Sequence, residues 1–263
     1  MKVVNWNVQW ATPDSARSPE ILRRIQALDP DIICLTETDA DFGLEHGHVI
    51  CALPDYGMGV RGRRRKVALW SRNPWRPAVG LGGAALVPGR FVSGVTDTPI
   101  GPLTVLGVCI PWAGSRTVRF GGKQRQWQDH EEYLDGLKRL LAPMGRPRVV
   151  LLGDFNQRLA GKSNVPLRLR EKLRQALPTA MTVTTVDTEF ARRRTIDHIA
   201  VSDDLTAGIV DTIDNWDGDR RLSDHFGVVA DLYMRDVPPN PPRKSDLYDS
   251  QQPSLELAPH RRA

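Results

Sequence analysis

Seven residues of this chain are of the types that hydrolytic chemistry uses, and each stands against an apolar run. Asn7 follows KVVNW, and Glu37 follows DIICLT. Asp154 and Asn156 lie in GDFN, directly after RVVLL. Asp197 opens the apolar part of TIDHIAVS, while Asp224 and His225 stand in LSDH before FGVVADL. A carboxylate at the edge of a buried strand is costly to desolvate unless it is paired, hydrogen-bonded or bound to a cation. Taken singly, each has a plainer reading. Asp154 could be a turn or cap residue, Glu37 a solvated loop carboxylate between two threonines, and His225 a packed, hydrogen-bonded ring. Strand ends converge at one rim of a sheet, so residues this far apart in sequence can still meet in space.

The elements that would position them are short apolar runs alternating with helices. Candidate strands are Val3–Val8, Ile32–Leu35, Val67–Trp70, Phe91–Val95, Leu103–Cys109, Arg148–Leu152, Asp197–Val201 and Phe226–Leu232, rich in Val, Ile and Leu and mostly bounded by Gly, Pro or Asp. Three helices are expected. The first opens at Ser18-Pro19-Glu20, with Ser18 as cap and proline at the first helical position, and ends before Asp29-Pro30. The second runs from about 126 to 141 with a stripe of Trp127, Leu134, Leu137 and Leu141, and the third from about 167 to 177. Phe91–Val95 and Leu103–Cys109 are joined by turn-rich TDTPIGP with no helix between them, which predicts a hairpin and excludes a purely parallel sheet.

The 263 residues, 40% hydrophobic and 25% charged, suit one large domain with an ample core, assigned to residues 1–236. Residues 237–263, rich in Pro, Ser and charge, are expected to be disordered. A net charge of +5 favours encounter with phosphate-rich partners without specifying chemistry. Nothing resembles a signal segment or the roughly 18 apolar residues of a membrane span. Three cysteines, with Cys34 and Cys109 inside apolar runs, argue against a disulfide framework; a cytoplasmic location is expected.

Together and in this order, N-W-N-V, L-T-E-T, G-D-F-N, T-I-D-H-I and S-D-H resemble the motif set of the endonuclease/exonuclease/phosphatase superfamily, from about Lys2 to Leu232. The resemblance implies a deoxyribonuclease I-like α/β (α+β) fold in four layers, two mixed β-sheets packed face to face with helices outside. It also implies metal-dependent hydrolysis of a phosphoester. In that light Glu37 is similar to the family's metal-binding glutamate, with Asn7 beside it and Asp224 as a further ligand. An all-oxygen site suits Mg²⁺, with Mn²⁺ able to substitute. Asp154 is similar to the residue that orients and deprotonates water, and Asn156 to a donor toward the phosphate. His225 is similar to the phosphate-contacting histidine, with Asp197 accepting from its other ring nitrogen, so His225 is expected to titrate above free histidine.

The chain also departs from the family. Abasic-site endonucleases carry Tyr-Val-Pro-Asn where this sequence reads Cys109-Ile110-Pro111-Trp112, and other branches place a histidine at Cys109, so the usual leaving-group acid is missing. Gln9 is closer to the deoxyribonuclease I-like pattern. His130 shares the apolar stripe of the second helix and reads as a partnered core histidine. A serine hydrolase built on Ser223, His225 and Asp197 is disfavoured, since there is no G-x-S-x-G elbow. Basic clusters at 61–66 (RGRRRK), at 192–194, and at Arg116, Arg119, Lys123 and Arg125 could follow a nucleic-acid backbone or be solvated loops. Trp10 and Trp112 could stack on bases. Nucleic acid is therefore the expected substrate and a nuclease the expected activity. The alternatives are a phosphatase or phosphodiesterase acting on a small molecule or lipid headgroup, and a binding module that has lost its chemistry.

Overall fold

The structure is a computed structural model that describes residues 1–57, 59–78, 86–117, 125–143 and 147–235. The expected tail at 237–263 and the basic residues Arg119 and Lys123 lie outside the described residues. In chain order the elements begin with β1 (Lys2–Ala11), α1 (Ser18–Gln26), β2 (Ile32–Asp39), β3 (His48–Cys51), β4 (Arg64–Ser71), β5 (Phe91–Thr98) and β6 (Gly101–Cys109). There follow α2 (Gln128–Leu141), β7 (Val149–Asp154), α3 (Leu167–Ala176), β8 (Met181–Val183), β9 (Glu189–Phe190), β10 (Arg193–Arg194) and β11 (Asp197–Ser202). The last are β12 (Leu205–Ile213), β13 (Trp216–Asp217), β14 (Arg220–Arg221) and β15 (Gly227–Met234).

Two mixed sheets result, one ordered β12-β15-β1-β2-β4-β3 and the other β5-β6-β7-β11-β8. β1 and β2 run parallel, as do β6 and β7, and the other neighbours run antiparallel. Side-chain alternation explains the layering. On β1, Val3 points into the space between the sheets with Ile32, Cys34, Val67, Leu69, Val105, Val150, Leu152 and Ile199. Val4, Trp6 and Val8 point outward, under Ile21 and Ile25 of α1. On the far side, Leu106, Val108, Val149 and Leu151 pack against Tyr133, Leu134 and Leu137 of α2 and Leu173 of α3. Each central strand is thus buried on both faces, which is why it reads as an unbroken apolar run. Gly107 permits the close approach of the sheets, since a Cβ there would sit 2.9 Å from Val67 and 3.1 Å from Leu69.

The predicted β5–β6 hairpin forms, with Thr98 opposite Gly101. Ser18 does not cap α1: the preceding position is Arg17, and the Ser18 hydroxyl instead donates to the carbonyl of Thr12 at 2.6 Å, tying the helix to the end of β1. Trp127 lies just before α2 with φ +70° and is no part of its stripe. Three strands of these two sheets were not expected, nor were the two-stranded ribbons β9–β10 and β13–β14. β3 and β8 have four and three residues, too few for a periodic signal, and the edge strand β12 is interrupted by Gly208 and Asp211.

Candidate active site

Alternation on β1 also places Asn5 and Asn7 on the inner face, where apolar residues would otherwise stand. The Asn5 amide donates to the carbonyls of Gly153 (3.0 Å) and His198 (3.2 Å), joining the first sheet to the second. Two residues on, the Asn7 amide crosses the same gap to Asp154 Oδ2 at 3.2 Å. Asp154 ends β7 and is paired in register with Asp197 at the start of β11 and with Cys109 at the end of β6. The turn after it closes on the carboxylate. The backbone N–H of Asn156 donates to Oδ1 at 2.8 Å and its side-chain amide to Oδ2 at 3.0 Å. That amide also donates to the carbonyl of Ile110 at 2.8 Å, so both its hydrogens are engaged and neither is left for a phosphate. Gly153 is required here, with φ +144° and no room for a Cβ, which would lie 1.9 Å from the carbonyl oxygen of Val108.

His225 is supplied by the first sheet, just before β15, and Asp197 by the second. The ring donates through Nδ1 to Asp197 Oδ2 at 2.6 Å, which leaves Nε2 available to a substrate. One ligand atom each from Asp154, Asp197 and His225 lie within 4.8 Å of one another. Burial alone would lower the pKa of His225, but Asp197, Asp154 and Asp224 outweigh it and push it up to about 10. Asp154 is driven up to about 7 by burial and by its neighbour Asp197, against the opposing pull of His225. Oδ1 of Asp197 is buried and has no hydrogen-bond partner among the described residues.

The remaining predicted residues surround this core. Glu37 lies within β2 rather than beyond it, between the register pairs Thr36↔Val67 and Thr38↔Arg65. Its φ is +49°, as if the strand were twisted to aim the side chain. The opposing length of β1 carries a bulge: Asn7 pairs with Thr36 but Ala11 with Thr38, and Gln9 and Trp10 both have positive φ. With Asn156 (φ +53°), four residues at the site adopt a conformation that costs non-glycine residues of order 1 kcal/mol or more each. Gln9 links the parts, its N–H donating to Asn7 Oδ1 and its Oε1 accepting from the Asp224 backbone N–H. Arg17 buttresses it by donating to Gln9 and to the carbonyl of Leu222. The Ser223 hydroxyl donates to the Asn7 carbonyl at 2.6 Å and is therefore committed to structure, which removes the serine hydrolase alternative.

Some expected residues sit differently. Trp112 is 57% exposed in the loop after β6, and Arg116 in the same loop is exposed. Trp10 is half-buried, its ring 5.8 Å from Tyr56 and covered by Arg64 and Lys66. Lys66 does not belong to a solvated basic cluster: it is buried and its Nζ lies 2.7 Å from Glu37 Oε1. Cys109 is fully buried with its thiol pushed up to about 12 by desolvation. His130 is the expected core histidine, held by the Pro111 carbonyl and the Gln157 amide. A recess of about 50 Å³, room for about two waters, is lined by Arg158, Arg193, Asp197, Asp224 and His225. A larger cavity, about 630 Å³, lies between α3 and β8.

The fold built from these parts is found in solved structures. The 3′ phosphatase NExo from Neisseria, bound to a product DNA hairpin, matches with a TM-score of 0.66 and 18% identity, over 89% of this chain and 100% of that one. An AP endonuclease from Archaeoglobus fulgidus matches at 0.65 and 18%, over 90% and 100%. An endonuclease/exonuclease/phosphatase from Beutenbergia cavernae matches at 0.59 and 18%, over 89% and 71%. No curated protein sequence matches this chain. The profile of the endonuclease/exonuclease/phosphatase family matches residues 4–225, and the chain belongs to that family.

Proposed function

We propose that this protein is a metal-dependent phosphoester hydrolase, and that its substrate is the phosphodiester backbone of nucleic acid. The observation that carries the reading is the carboxylate of Asp154, held by Asn7 and Asn156, with the Asp197–His225 pair alongside. With its pKa near 7, Asp154 can accept a proton from an attacking water at neutral pH. His225, kept cationic by Asp197, presents Nε2 to a phosphoryl oxygen and stabilises charge developing there. Asn7 spends one amide hydrogen on Asp154 and has the other for the phosphate.

The donor set fits a hard divalent cation. Glu37 lies close enough to raise the pKa of both Asp154 and Asp197, Asp224 close enough to raise that of Asp197, and Asp197 Oδ1 has no partner among the described residues. The protonated His225 makes its own triad with Asp154 and Asp197 a poor cage, so Glu37, Asp224 and Asn7 are the residues that would hold Mg²⁺, or Mn²⁺ in its place. Bound there, the ion would supply Lewis-acid polarisation of the phosphoryl group.

Nucleic acid is favoured because Arg158, Arg193 and Arg194 flank the small recess at His225, while the exposed Trp112 and Arg116 in the loop after β6 offer further contacts to an extended substrate. Related folds have been solved with a product DNA hairpin and with a single-strand DNA product. The buried Cys109 offers no leaving-group acid, which keeps hydrolysis of a smaller phosphoester, or of a lipid headgroup, as the second reading. Labelled single- and double-stranded DNA and RNA, with a generic phosphodiester in parallel, should be incubated with Mg²⁺ and with the Glu37→Ala and Asp154→Asn variants. Cleavage of a nucleic acid that needs the metal and falls by about a thousandfold in both variants is expected. Turnover of the small ester alone would sink the nuclease reading, and metal binding with no turnover at all would make the chain a binding module.

A further inference from the structure

Lys66, which the sequence offers only as the last residue of a basic cluster, touches the candidate metal carboxylate Glu37. β2 and β4 are antiparallel, and Glu37 and Lys66 face each other between two register pairs. Nζ of Lys66 is 2.7 Å from Oε1 of Glu37, with side-chain exposures of 8% and 23%. The ammonium group also lies 4.7 Å from the centre of the Trp10 ring and 5.5 Å from that of Tyr56. Trp10 reaches this position through the β1 bulge, and Tyr56 through the loop that follows β3. A lysine is therefore caged by two aromatic faces and fixed by its strand onto a carboxylate expected to take a divalent ion.

We propose that Lys66 is a tethered competitor for that ion: its ammonium group holds Glu37 in the metal-free protein, and metal enters by displacing it. The inference rests on reading Glu37 as a metal-binding carboxylate. A cation cannot share this carboxylate with an ammonium group at hydrogen-bond distance without repulsion, and in a partly desolvated site that repulsion is weakly screened. The tether also keeps the displaced charge nearby. The faces of Trp10 and Tyr56, already in contact, offer it a resting place by cation–π attraction. The metal site thus carries a built-in penalty, the displacement of Lys66 from Glu37.

The test is a titration of metal-free protein with Mn²⁺ alone, followed by the electron paramagnetic resonance of the free ion. Wild type is compared with Lys66→Met, Lys66→Gln, Lys66→Arg and Arg65→Met, all checked for cooperative melting. The two neutral Lys66 variants should bind Mn²⁺ about tenfold more tightly or better, either one sufficing if the other fails to fold. Lys66→Arg keeps the charge and should stay within about threefold of wild type; so should Arg65→Met, which removes a charge from the same strand next to the cage. Adding Glu37→Gln to Lys66→Met should erase the gain. Equal or weaker Mn²⁺ binding by the neutral variants, with wild type binding measurably, would overturn the inference and leave the metal reading intact. Absence of binding in wild type and all variants would remove both.

Discussion

At His225 burial argues for a neutral ring, while three carboxylates argue for a charged one, and the carboxylates win: its pKa stands near 10. In metal-free protein the ¹⁵N resonances of this ring should show no titration between about pH 5 and 8.5. Asp197→Asn removes the nearest charge and should bring the titration down to or below the ordinary histidine value of about 6.5. A ring that titrates near 6.5 in the unaltered protein would contradict the geometry. Asp154, Asn156, Asp197 and His225 were legible in the sequence because each stands in a short motif beside an apolar run. Lys66 was not, although it lies in the most basic string of the chain. Its significance depends on a cross-strand register that places it opposite Glu37, and nothing in RGRRRK distinguishes its last residue from the four arginines before it. Arg17 escaped notice, and Ser223 was weighed only as a nucleophile, for a related reason: they act by fixing Gln9 and the carbonyl of Asn7 rather than by touching the carboxylates.

Among the elements, β1 carries more of the site than any other. It is paired on both sides, with β2 and β15, and its inward face changes from Val3 to Asn5 to Asn7 over five residues. The central strands and the β5–β6 hairpin could be read from apolar runs and turn residues, whereas β3, β8 and β12 could not. A short or interrupted edge strand has too few inward positions to establish a period of two. Nor could a sequence say that Asn5 would reach across to the second sheet, because its partners are backbone carbonyls that leave no trace in residue type. Replacing Asn5 with Ala removes both bonds from its amide to the second sheet, and should lower stability by about 1–3 kcal/mol in urea unfolding. Since Asn7 is two residues away on the same face, the same variant should also lose activity below its unfolding midpoint. A loss under 0.5 kcal/mol would mean that water readily replaces the tie.

For the molecule as a whole, two histidines outside the site, His130 and His198, set part of the response to acid. Burial lowers the pKa of each to about 4, against weaker support from the carbonyls of Pro111 and Gln157. The unfolded chain takes up their protons first, so the stability they contribute is full above about pH 6.5 and is lost as pH falls toward 4. Asp154 works in the opposite sense over the same range, because its raised pKa lets the native form take a proton before the unfolded one does. The histidine contribution is therefore best read by difference. His130→Gln can keep both hydrogen bonds without titrating, and between pH 7.5 and 5 it should lose about 2 kcal/mol less stability than the unaltered protein. Equal losses in urea unfolding at the two pH values would show that His130 is already charged in the native state. No helix among the described residues is long and apolar enough to cross a membrane.

The way the site is divided between the sheets bears on how the protein would be preserved in use. Asn7, Glu37, Asp224 and His225 come from one sheet, Asp154 and Asp197 from the other, and the bonds from Asn7 to Asp154 and from His225 to Asp197 are stitches across the seam. Neither half holds a partial catalyst that could work alone. Whatever occupies the gap must grip both sides at once, and so acts as a clasp whose binding energy is added to the adhesion of the two sheets. An idle molecule is held shut only by its core and its stitches. On the proposed reading, one with substrate bound would be fastened by it as well, and would be hardest to pull apart while that substrate spans the seam.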